Sequence, residues 1–252
     1  MTHNFNIWEG KYKNFKEVKK KFPIKNFELN TYKKKLTNNF DLSEKNLKNN
    51  KIIDKDLTSR SIYLPLLVAL LSKKKKIEIL DFGGGLGISY LYLLQCLPHL
   101  KKKISYTIVE LNEICEIGKK KKIDINFVSK IPSKKYDIIF SSSAIQYIEN
   151  WKDVLNNLIK LNCSYILLSD VFLTKNSSFV TLQNYYLNKI PQWFFNEKNF
   201  LYYFYNGKYK LIFKDTVMAK RLNYQSILPM KNFKKSDRVN NTFHLLFHNG
   251  KK

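Results

Sequence analysis

One cluster of glycines and the carboxylates near it are spaced in a way that suits ligand binding. The stretch "EILDFGGGLGISYLYLLQ" holds four of the chain's eight glycines, between positions 83 and 87, and Asp81 stands two residues before them. Glycine lets the backbone turn tightly and approach a ligand closely. A helix that begins after the cluster offers its free N–H groups to a polar ligand. Asp81 would repel a phosphate at this point, so the pattern favours a cationic or amine-bearing ligand.

The glycine spacing excludes the dinucleotide fingerprint GxGxxG. That fingerprint would need its third glycine at position 88 or 90, where the chain has Ile88 and Tyr90. The pattern present is D-x-G-x-G-x-G, starting at position 81. Glu110 follows the last of these glycines by 23 residues, at the end of "ISYTIVE". A carboxylate there can accept both hydrogen bonds of a ribose diol.

Strands alternating with helices are predicted to position these residues. Five apolar segments are predicted strands: Ile77–Leu80, Ile104–Val109, Ile123–Val128, Tyr136–Phe140 and Tyr165–Ser169. Helices are predicted between most of them, at Ile88–Leu97, Asn112–Lys119 and Trp151–Leu161. This alternation indicates βαβ units, a parallel sheet and a doubly wound α/β fold. Ligands bind at the carboxyl ends of such strands, which is where the glycine cluster falls.

Both ends of the chain depart from this alternation. Residues 1–57 are polar, rich in Lys and Asn and broken by Pro23, and we predict a helical appendage there. Residues 58–252 are the predicted main domain. After Asp170 an aromatic-rich segment runs to about Tyr205, and two further strands are predicted, Tyr209–Phe213 and Thr242–Phe247.

The glycine pattern and the acid after the second strand resemble class I methyltransferases that use S-adenosylmethionine. The resemblance implies a Rossmann-like fold with a mostly parallel seven-stranded sheet and an antiparallel last strand. It also implies S-adenosylmethionine as the cofactor and S-adenosylhomocysteine as the product. The cofactor-binding residues it implies are Asp81, Gly83, Gly85, Gly87, Glu110, Leu111, Ser129, Ser141 and Ser142. Ser129 stands where the class often has an acid near the adenine.

Five longer segments are similar to one bacterial group of methyltransferases, whose members tend to occur near capsule or O-antigen gene sets. They are "WEGKYKNFKEV", "ILDFGGGLGISY", "IVELNEICEIGKK", "YDIIFSSSAIQYIENW" and "DVFLTKNSSFVTLQNYY". The similarity covers nearly the whole chain. It implies a role in capsule or surface polysaccharide biosynthesis.

The acceptor side of the predicted site lacks the motifs of nucleobase methylation. The fourth strand ends in three serines rather than Asn/Asp-Pro-Pro-aromatic, and the chain has no Pro-Cys pair. These absences disfavour nucleic acid as the acceptor. Aromatic, amide and guanidinium groups at or above the predicted active edge are the candidate acceptor-binding residues: Trp8, Tyr12, Gln146, Tyr147, Gln183, Asn184, Tyr185, Arg221 and Arg238. The two arginines lie in the loop between the last two strands and favour an anionic acceptor.

A hydroxyl acceptor benefits from a base that removes its proton. Asp170 stands at the end of the fifth strand, and His244 stands in the last strand near the same edge. These two are the candidate catalytic residues. A packed strand histidine remains an alternative for His244.

Charge, cysteine content and hydropathy narrow the class of protein. The net charge is +25, yet the lysine runs at 73–76, 101–103 and 119–122 each follow a predicted helix and precede a strand, at the edge away from the site. The three cysteines, widely spaced in apolar surroundings, predict buried free thiols and no metal site. The longest apolar run, Ile62–Leu71, is too short to span a bilayer, and we predict a cytoplasmic protein.

The function predicted is O-methylation of a small anionic or glycan-precursor acceptor, such as a nucleotide-linked or phosphorylated sugar. Two alternatives remain. The first is an RNA-binding methyltransferase, which the high charge would suit. The second is a non-catalytic scaffold with the methyltransferase fold, which the intact glycine and acid set disfavours.

Overall fold

The computed structural model describes residues 6–22, 29–185, 188–218 and 228–250. Arg221, one of the predicted acceptor-binding residues, lies outside them. A seven-stranded sheet forms the centre of the molecule. In chain order its strands are β2 (Ile77–Phe82), β3 (Ile104–Val109), β4 (Ile125–Val128), β5 (Ile138–Ser142), β6 (Tyr165–Val171), β10 (Tyr209–Thr216) and β11 (Phe243–Asn249).

The order of strands across this sheet is β10-β11-β6-β5-β2-β3-β4. β2 pairs in parallel with β3 and β5, and β11 is antiparallel to both β6 and β10. The predicted mostly parallel sheet with an antiparallel last strand is therefore confirmed. Isoleucine, leucine and phenylalanine fill the central strands because both faces of the sheet are covered.

Helices cover the two faces of the sheet and separate two cores. α4 (Tyr63–Leu70), α5 (Ile88–Cys96) and α6 (Asn112–Lys120) pack on one face. α7 (Trp151–Lys160) and α8 (Glu197–Asn206) pack on the other. Alternate residues of each strand enter the two cores, for example Ile79 on the first face and Leu80 on the second. This is the two-sided burial expected of a doubly wound sheet.

The N-terminal segment is only partly helical, contrary to the prediction. It begins with a strand, β1 (Trp8–Tyr12), followed by α1 (Phe15–Lys21), α2 (Leu29–Lys48) and the short α3 (Lys55–Thr58). β1 joins β7 (Leu173–Thr174), β8 (Phe179–Tyr185) and β9 (Asn188–Asn196) in a second sheet of order β1-β8-β9-β7. Residues on both sides of the predicted boundary at 57/58 thus build one sheet.

The structure bears on two further predictions, the burial of the cysteines and the position of the lysine runs. Cys115 and Cys163 are buried free thiols as predicted, whereas Cys96 is exposed because it ends α5 at the surface. The lysine runs lie at the turns that enter β2, β3 and β4, so they stand at the amino-terminal edge of the sheet. No helix in the described ranges is long and apolar enough to cross a membrane.

Candidate active site

The glycine loop connects the carboxyl end of β2 to the amino end of α5. Gly83 and Gly87 have φ angles of 73° and 95°, in the left-handed region that side chains strain. A β-carbon at Gly83 would collide with Ala144, and one at Gly87 would collide with Ile125. The loop therefore runs against the ends of neighbouring strands, where only glycine fits.

Glu110 lies beside this loop, directly after β3. Its carboxylate accepts hydrogen bonds from the backbone N–H of Gly85 at 3.0 Å and of Leu111 at 2.9 Å. Burial raises the pKa of Glu110, and the two backbone donors oppose that shift. Each carboxylate oxygen has a second lone pair, so Glu110 can still accept hydrogen bonds from a ligand.

Asp81 is the buried acid beneath the loop, with an exposed fraction of 1%. One carboxylate oxygen, Oδ2, accepts a 2.8 Å hydrogen bond from the Tyr106 hydroxyl. Oδ1 has no hydrogen-bond partner within the described part of the chain. Burial raises the pKa of Asp81 to about 7, with the Tyr106 hydrogen bond opposing the shift. A buried carboxylate oxygen without a donor suits a ligand that brings one.

Asp170 organises the neighbouring strand ends. Its Oδ2 accepts hydrogen bonds from Arg60 Nε at 2.8 Å and from the Ser143 hydroxyl at 2.5 Å. Its Oδ1 accepts from the Thr242 hydroxyl at 2.5 Å, and the backbone at Asp170 has a φ of 60°. Left-handed backbone costs a non-glycine residue energy, so this strained position is held by its three side-chain partners. Asp170 thereby joins β6, the end of β5 and the chain before α4.

Tyrosine and glutamine side chains cover these strand ends. The Tyr147 hydroxyl donates a 2.7 Å hydrogen bond to Gln183 Oε1 on β8. Burial raises the pKa of Tyr32 on α2, and the nearby Glu110 carboxylate raises it further. Tyr147 and Tyr185 also lie close to Tyr32. We call Tyr32, Tyr147, Gln183 and Tyr185 the polar cap.

The helix α2 closes the cap toward the glycine loop. A β-carbon at Gly85 would touch the Leu36 side chain, so α2 passes directly over the loop. The Lys35 ammonium lies 5.1 Å from the centre of the Tyr185 ring. Further along α2, Asp41 forms an ion pair with Lys121. The site is thus bounded by the strand ends below and by α2 and β8 above.

Residues 58–215, more than half of the chain, match the family model described as a methyltransferase domain. The chain belongs to the methyltransferase domain family. No protein of curated function matches it significantly.

Solved structures with the same fold agree with the family match. An S-adenosylmethionine-dependent methyltransferase from Clostridium acetobutylicum is 12% identical, with a TM-score of 0.50 over 85% of this chain and 99% of that one. The 1,6-didemethyltoxoflavin N1-methyltransferase of Burkholderia thailandensis is also 12% identical, with a TM-score of 0.51 over 84% and 86%. A Listeria monocytogenes protein of the same class gives 12% identity and 0.50 over 75% and 98%. At this identity the likeness concerns the fold.

The predicted methyltransferase is therefore confirmed, with the fold of the class I enzymes. The glycine loop also fits S-adenosylmethionine, the predicted cofactor. S-adenosylmethionine carries an ammonium, a sulfonium and a ribose diol. The donor-deficient Asp81 suits the cationic part, and the remaining lone pairs of Glu110 suit the diol. This methyltransferase's own residues thus provide complementary groups on both sides of the loop.

The other predicted cofactor-binding residues divide into two sets. Leu111 and Ser129 are exposed, and Ser142 is half-buried, at the carboxyl edge of the sheet. Their contacts with the cofactor stay predictions. Ser141 is buried, and its hydroxyl donates a 2.9 Å hydrogen bond to the carbonyl of Phe82. Its side chain therefore ties β5 to β2 instead of facing a ligand.

Neither predicted catalytic residue is free to act as a base in the structure. Asp170 is 3% exposed and paired with Arg60, so its carboxylate is occupied. His244 is fully buried, with its ring 4.8 Å from the Tyr63 ring and its Nδ1 2.9 Å from the Ser169 hydroxyl. Burial lowers the pKa of His244 to about 4. A side chain enclosed in this way is a packed strand histidine, the alternative that the sequence left open.

Several predicted acceptor-binding residues build the framework instead. Trp8 is buried, and its indole N–H donates to Gln192 at 3.1 Å. Asn184 binds the β1 segment through Asn6 and Glu9. Their aromatic or amide groups stabilise the second sheet.

The remaining acceptor-binding candidates differ in position. Tyr147, Gln183 and Tyr185 are brought together in the polar cap. Gln146 is buried and donates to the backbone carbonyl of Asp170 at 3.3 Å. Tyr12 is half-buried and packs its ring against Phe22 beside α1.

Arg238 lies in the loop before β11 but is used within that loop. Its guanidinium donates to the carbonyls of Phe233 at 3.0 Å and Lys231 at 2.9 Å. These bonds hold the loop in shape while Phe233 enters the core of the second sheet. Arg238 is therefore a loop-stabilising residue in this structure.

Two residues of the site were missed at the level of sequence. Arg60 is one of only three arginines among 45 basic residues, and that rarity was an available signal. Tyr32 had no such signal, because its helix reaches the site only through the packing of α2 on α5. Its role depends on tertiary structure.

Proposed function

We propose that this methyltransferase transfers the methyl group of S-adenosylmethionine to a hydroxyl of a small polar acceptor. The acceptor is anionic or a glycan precursor, such as a nucleotide-linked or phosphorylated sugar, used in capsule or surface polysaccharide biosynthesis in the cytoplasm. The observation that carries the proposal is the polar cap over the strand ends, with its Tyr147–Gln183 hydrogen bond. Hydroxyl and amide groups of this kind suit an acceptor with several hydroxyl groups.

Arg60 supports an anionic group on the acceptor. Asp170 binds its Nε atom, and this contact fixes the plane of the guanidinium at the carboxyl ends of β5 and β6. Arginine recognises phosphate and carboxylate through planar paired hydrogen bonds. In this proposal Arg60, rather than Arg221 or Arg238, contacts the anionic group, and Asp170 is its positioning residue.

The enclosure by α2 and β8 favours a small acceptor over a nucleic acid. When bound, S-adenosylmethionine supplies an electrophilic methyl group. The protein's part is to hold donor and acceptor in line, which lowers the barrier through orientation. Leu36 and Tyr32 exclude water above the glycine loop. Transfer would form the O–CH₃ bond, break the methyl–sulfur bond to release S-adenosylhomocysteine, and pass the hydroxyl proton to solvent.

The direct test is to incubate the purified protein with methyl-labelled S-adenosylmethionine and a panel of sugar nucleotides, sugar phosphates, neutral sugars and short RNA. We expect label in one of the anionic sugars. Arg60→Ala should raise KM for that sugar and leave S-adenosylmethionine binding measurable. Arg238→Ala is the matched control. Transfer to RNA alone, or to a neutral sugar in preference, would contradict the proposed acceptor.

A further inference from the structure

The Tyr63 hydroxyl, which donates to Asp215, is the one polar side-chain group of the helix α4. Its sequence is YLPLLVAL, and Leu64, Leu67 and Val68 are buried against the sheet. Leu66 and Leu70, one turn apart on the outer side, are 62% and 75% exposed. A surface helix normally presents polar residues to water. We call Leu66, Ala69 and Leu70 the α4 face.

The outward surface of α4 differs from that of the helices beside it. α6 exposes Asn112, Glu113 and Glu116, and α7 exposes Lys152, Asn156 and Lys160. Apolar surface also continues past the start of α4, where Tyr63 packs against Phe213 at 4.8 Å and Phe213 is 37% exposed. A contiguous exposed apolar patch marks an interaction surface more often than a single exposed leucine does.

Lysines surround the end of α4. The helix leads directly into the run Lys73–Lys76, all of it exposed. The Lys103 ammonium donates a 2.9 Å hydrogen bond to the carbonyl of Ser72, so the run Lys101–Lys103 adjoins the same point. Lys74 and Lys76 form ion pairs with Asp137 and Glu78. In the described ranges Lys73 and Lys75 have no ion pair.

We propose that the α4 face and the adjoining lysines dock the protein onto the surface of an anionic lipid bilayer. Leucines that enter the interface and lysines that meet acidic headgroups are the two contributions that such docking needs. The net charge of +25 favours an anionic partner and opposes a second copy of the chain. A nucleic acid would attract the lysines but leave the two leucines in water. An anionic bilayer would contact both the lysines and the two leucines.

The experiment is flotation of the full chain with vesicles of phosphatidylglycerol and phosphatidylcholine, compared with vesicles of phosphatidylcholine alone. We expect binding to the anionic vesicles only, and weaker binding as salt rises. Leu66→Ser with Leu70→Ser should weaken binding about tenfold, because two leucines lose their apolar burial. Lys73→Glu with Lys75→Glu should weaken it about 30-fold.

The matched control is Lys152→Glu with Lys160→Glu, which makes the same change in net charge on α7, across the sheet. It should bind within about twofold of the wild type if the α4 face is the contact. Thermal melting checks that all variants are folded, as expected for exposed positions.

Four results would overturn the proposal. They are no binding of wild type to anionic vesicles, equal losses in both lysine pairs, full binding by the leucine variant, and a wild-type dimer that the leucine changes dissociate. The last would assign the α4 face to a second copy. Because flotation needs no methyl donor or acceptor, failure here leaves the proposed function untouched, and the reverse also holds.

Discussion

At the scale of single residues, the site contains two acids, Asp81 and Glu110, whose ionised forms are destabilised by burial. Asp81 is enclosed beneath the glycine loop with one oxygen lacking a donor, and burial raises its pKa to about 7. Burial also raises the pKa of Glu110. A bound cation would favour the ionised forms. The free protein therefore holds these acids ready for a positively charged ligand.

Asp81 should link cofactor binding to proton release. At pH 7 the carboxyl is partly protonated, and the cationic groups of S-adenosylmethionine would drive the proton off. The affinity should therefore rise as pH increases from about 6 to 8. Calorimetry in two buffers of different ionisation enthalpy measures the released proton.

Asp81→Asn is the matched variant for that measurement. It keeps the shape of the side chain and removes the titrating group, so proton release should disappear and affinity should fall. If the variant and the wild type release equal numbers of protons, Asp81 is not the linked group.

His244 should make the fold sensitive to mild acid. Burial lowers its pKa from about 6.5 in the unfolded chain to about 4. Between these values the unfolded state binds the extra proton, so the free energy of unfolding should fall as pH drops from 6.5 to 4, by up to about 3 kcal/mol. Urea unfolding across this range measures the slope.

His244→Gln removes the titration, and it should flatten the slope while lowering the overall stability. The Asp81 carboxyl acts in the opposite direction, since its raised pKa favours the folded state as pH falls from 7 to 4. Asp81→Asn should therefore make the free energy of unfolding fall more steeply as pH drops. An unchanged slope in His244→Gln would show that another group controls it.

At the scale of elements, the first strand is the piece whose role the structure changes most. Trp8 lies 5.6 Å from the Phe172 ring and 6.0 Å from the Phe194 ring, edge to face with both. Its indole also binds Gln192. β1 therefore completes the core of the second sheet, which in turn carries Gln183 and Tyr185 of the polar cap.

Trp8→Ala should lower the free energy of unfolding by about 3–5 kcal/mol, through the cavity it leaves. Denaturant unfolding measures this. Tyr202→Ala, at an aromatic position that is 64% exposed, is the control and should change stability by less than about 0.5 kcal/mol. Equal effects of the two substitutions would mean that β1 contributes little to the core.

The elements that the sequence predicts well are those with local signals. β3 begins and ends where the apolar segment Ile104–Val109 predicts, and the glycine loop stands at the predicted strand end. The second sheet was missed because its pairing joins Trp8 to Gln183, far apart in the chain. Its aromatic residues resemble ligand-binding residues as well as core residues. Which of the two they are depends on contacts that no local pattern contains.

The same reason explains the outcome at the site. Asp81 and Glu110 were predicted because strand ends and spacing place them without further information. The pairing of Arg60 with Asp170 spans 110 residues, and His244 lies behind Tyr63, so both depend on tertiary packing. Local sequence therefore predicts where these acids stand in the sheet, but not which side chains pair across distant parts of the chain.

At the scale of the whole molecule, charge separates the two edges of the sheet. The lysine runs stand at the turns before β2, β3 and β4, and acids at positions 81, 110 and 170 stand at the opposite edge. Several lysines are held locally, for example Lys134 by Glu78 and Lys119 by Glu116. Exposed ion pairs of this kind contribute little to stability, so the runs mainly set the surface potential.

The lysines of the far edge should be irrelevant to turnover. Lys119→Glu with Lys120→Glu should leave KM and kcat within about twofold, because screening over about 10 Å isolates that edge from the site. Steady-state kinetics at physiological salt, with Arg60→Ala as the positive control, measures the difference. If KM for the acceptor rises in the lysine variant and not in Arg60→Ala, the acceptor binds at the amino-terminal edge of the sheet, contrary to this account.

The measurement that most directly tests the account is calorimetric titration of S-adenosylmethionine and S-adenosylhomocysteine into three proteins. These are the wild type, Glu110→Ala and the exposed control Glu113→Ala. We predict one-to-one binding by the wild type and the control. Glu110→Ala should bind more weakly by about 1–3 kcal/mol, the loss expected for hydrogen bonds to a charged group. No binding by the wild type, or equal affinity in Glu110→Ala, would contradict the assignment of this edge as the methyl-donor site.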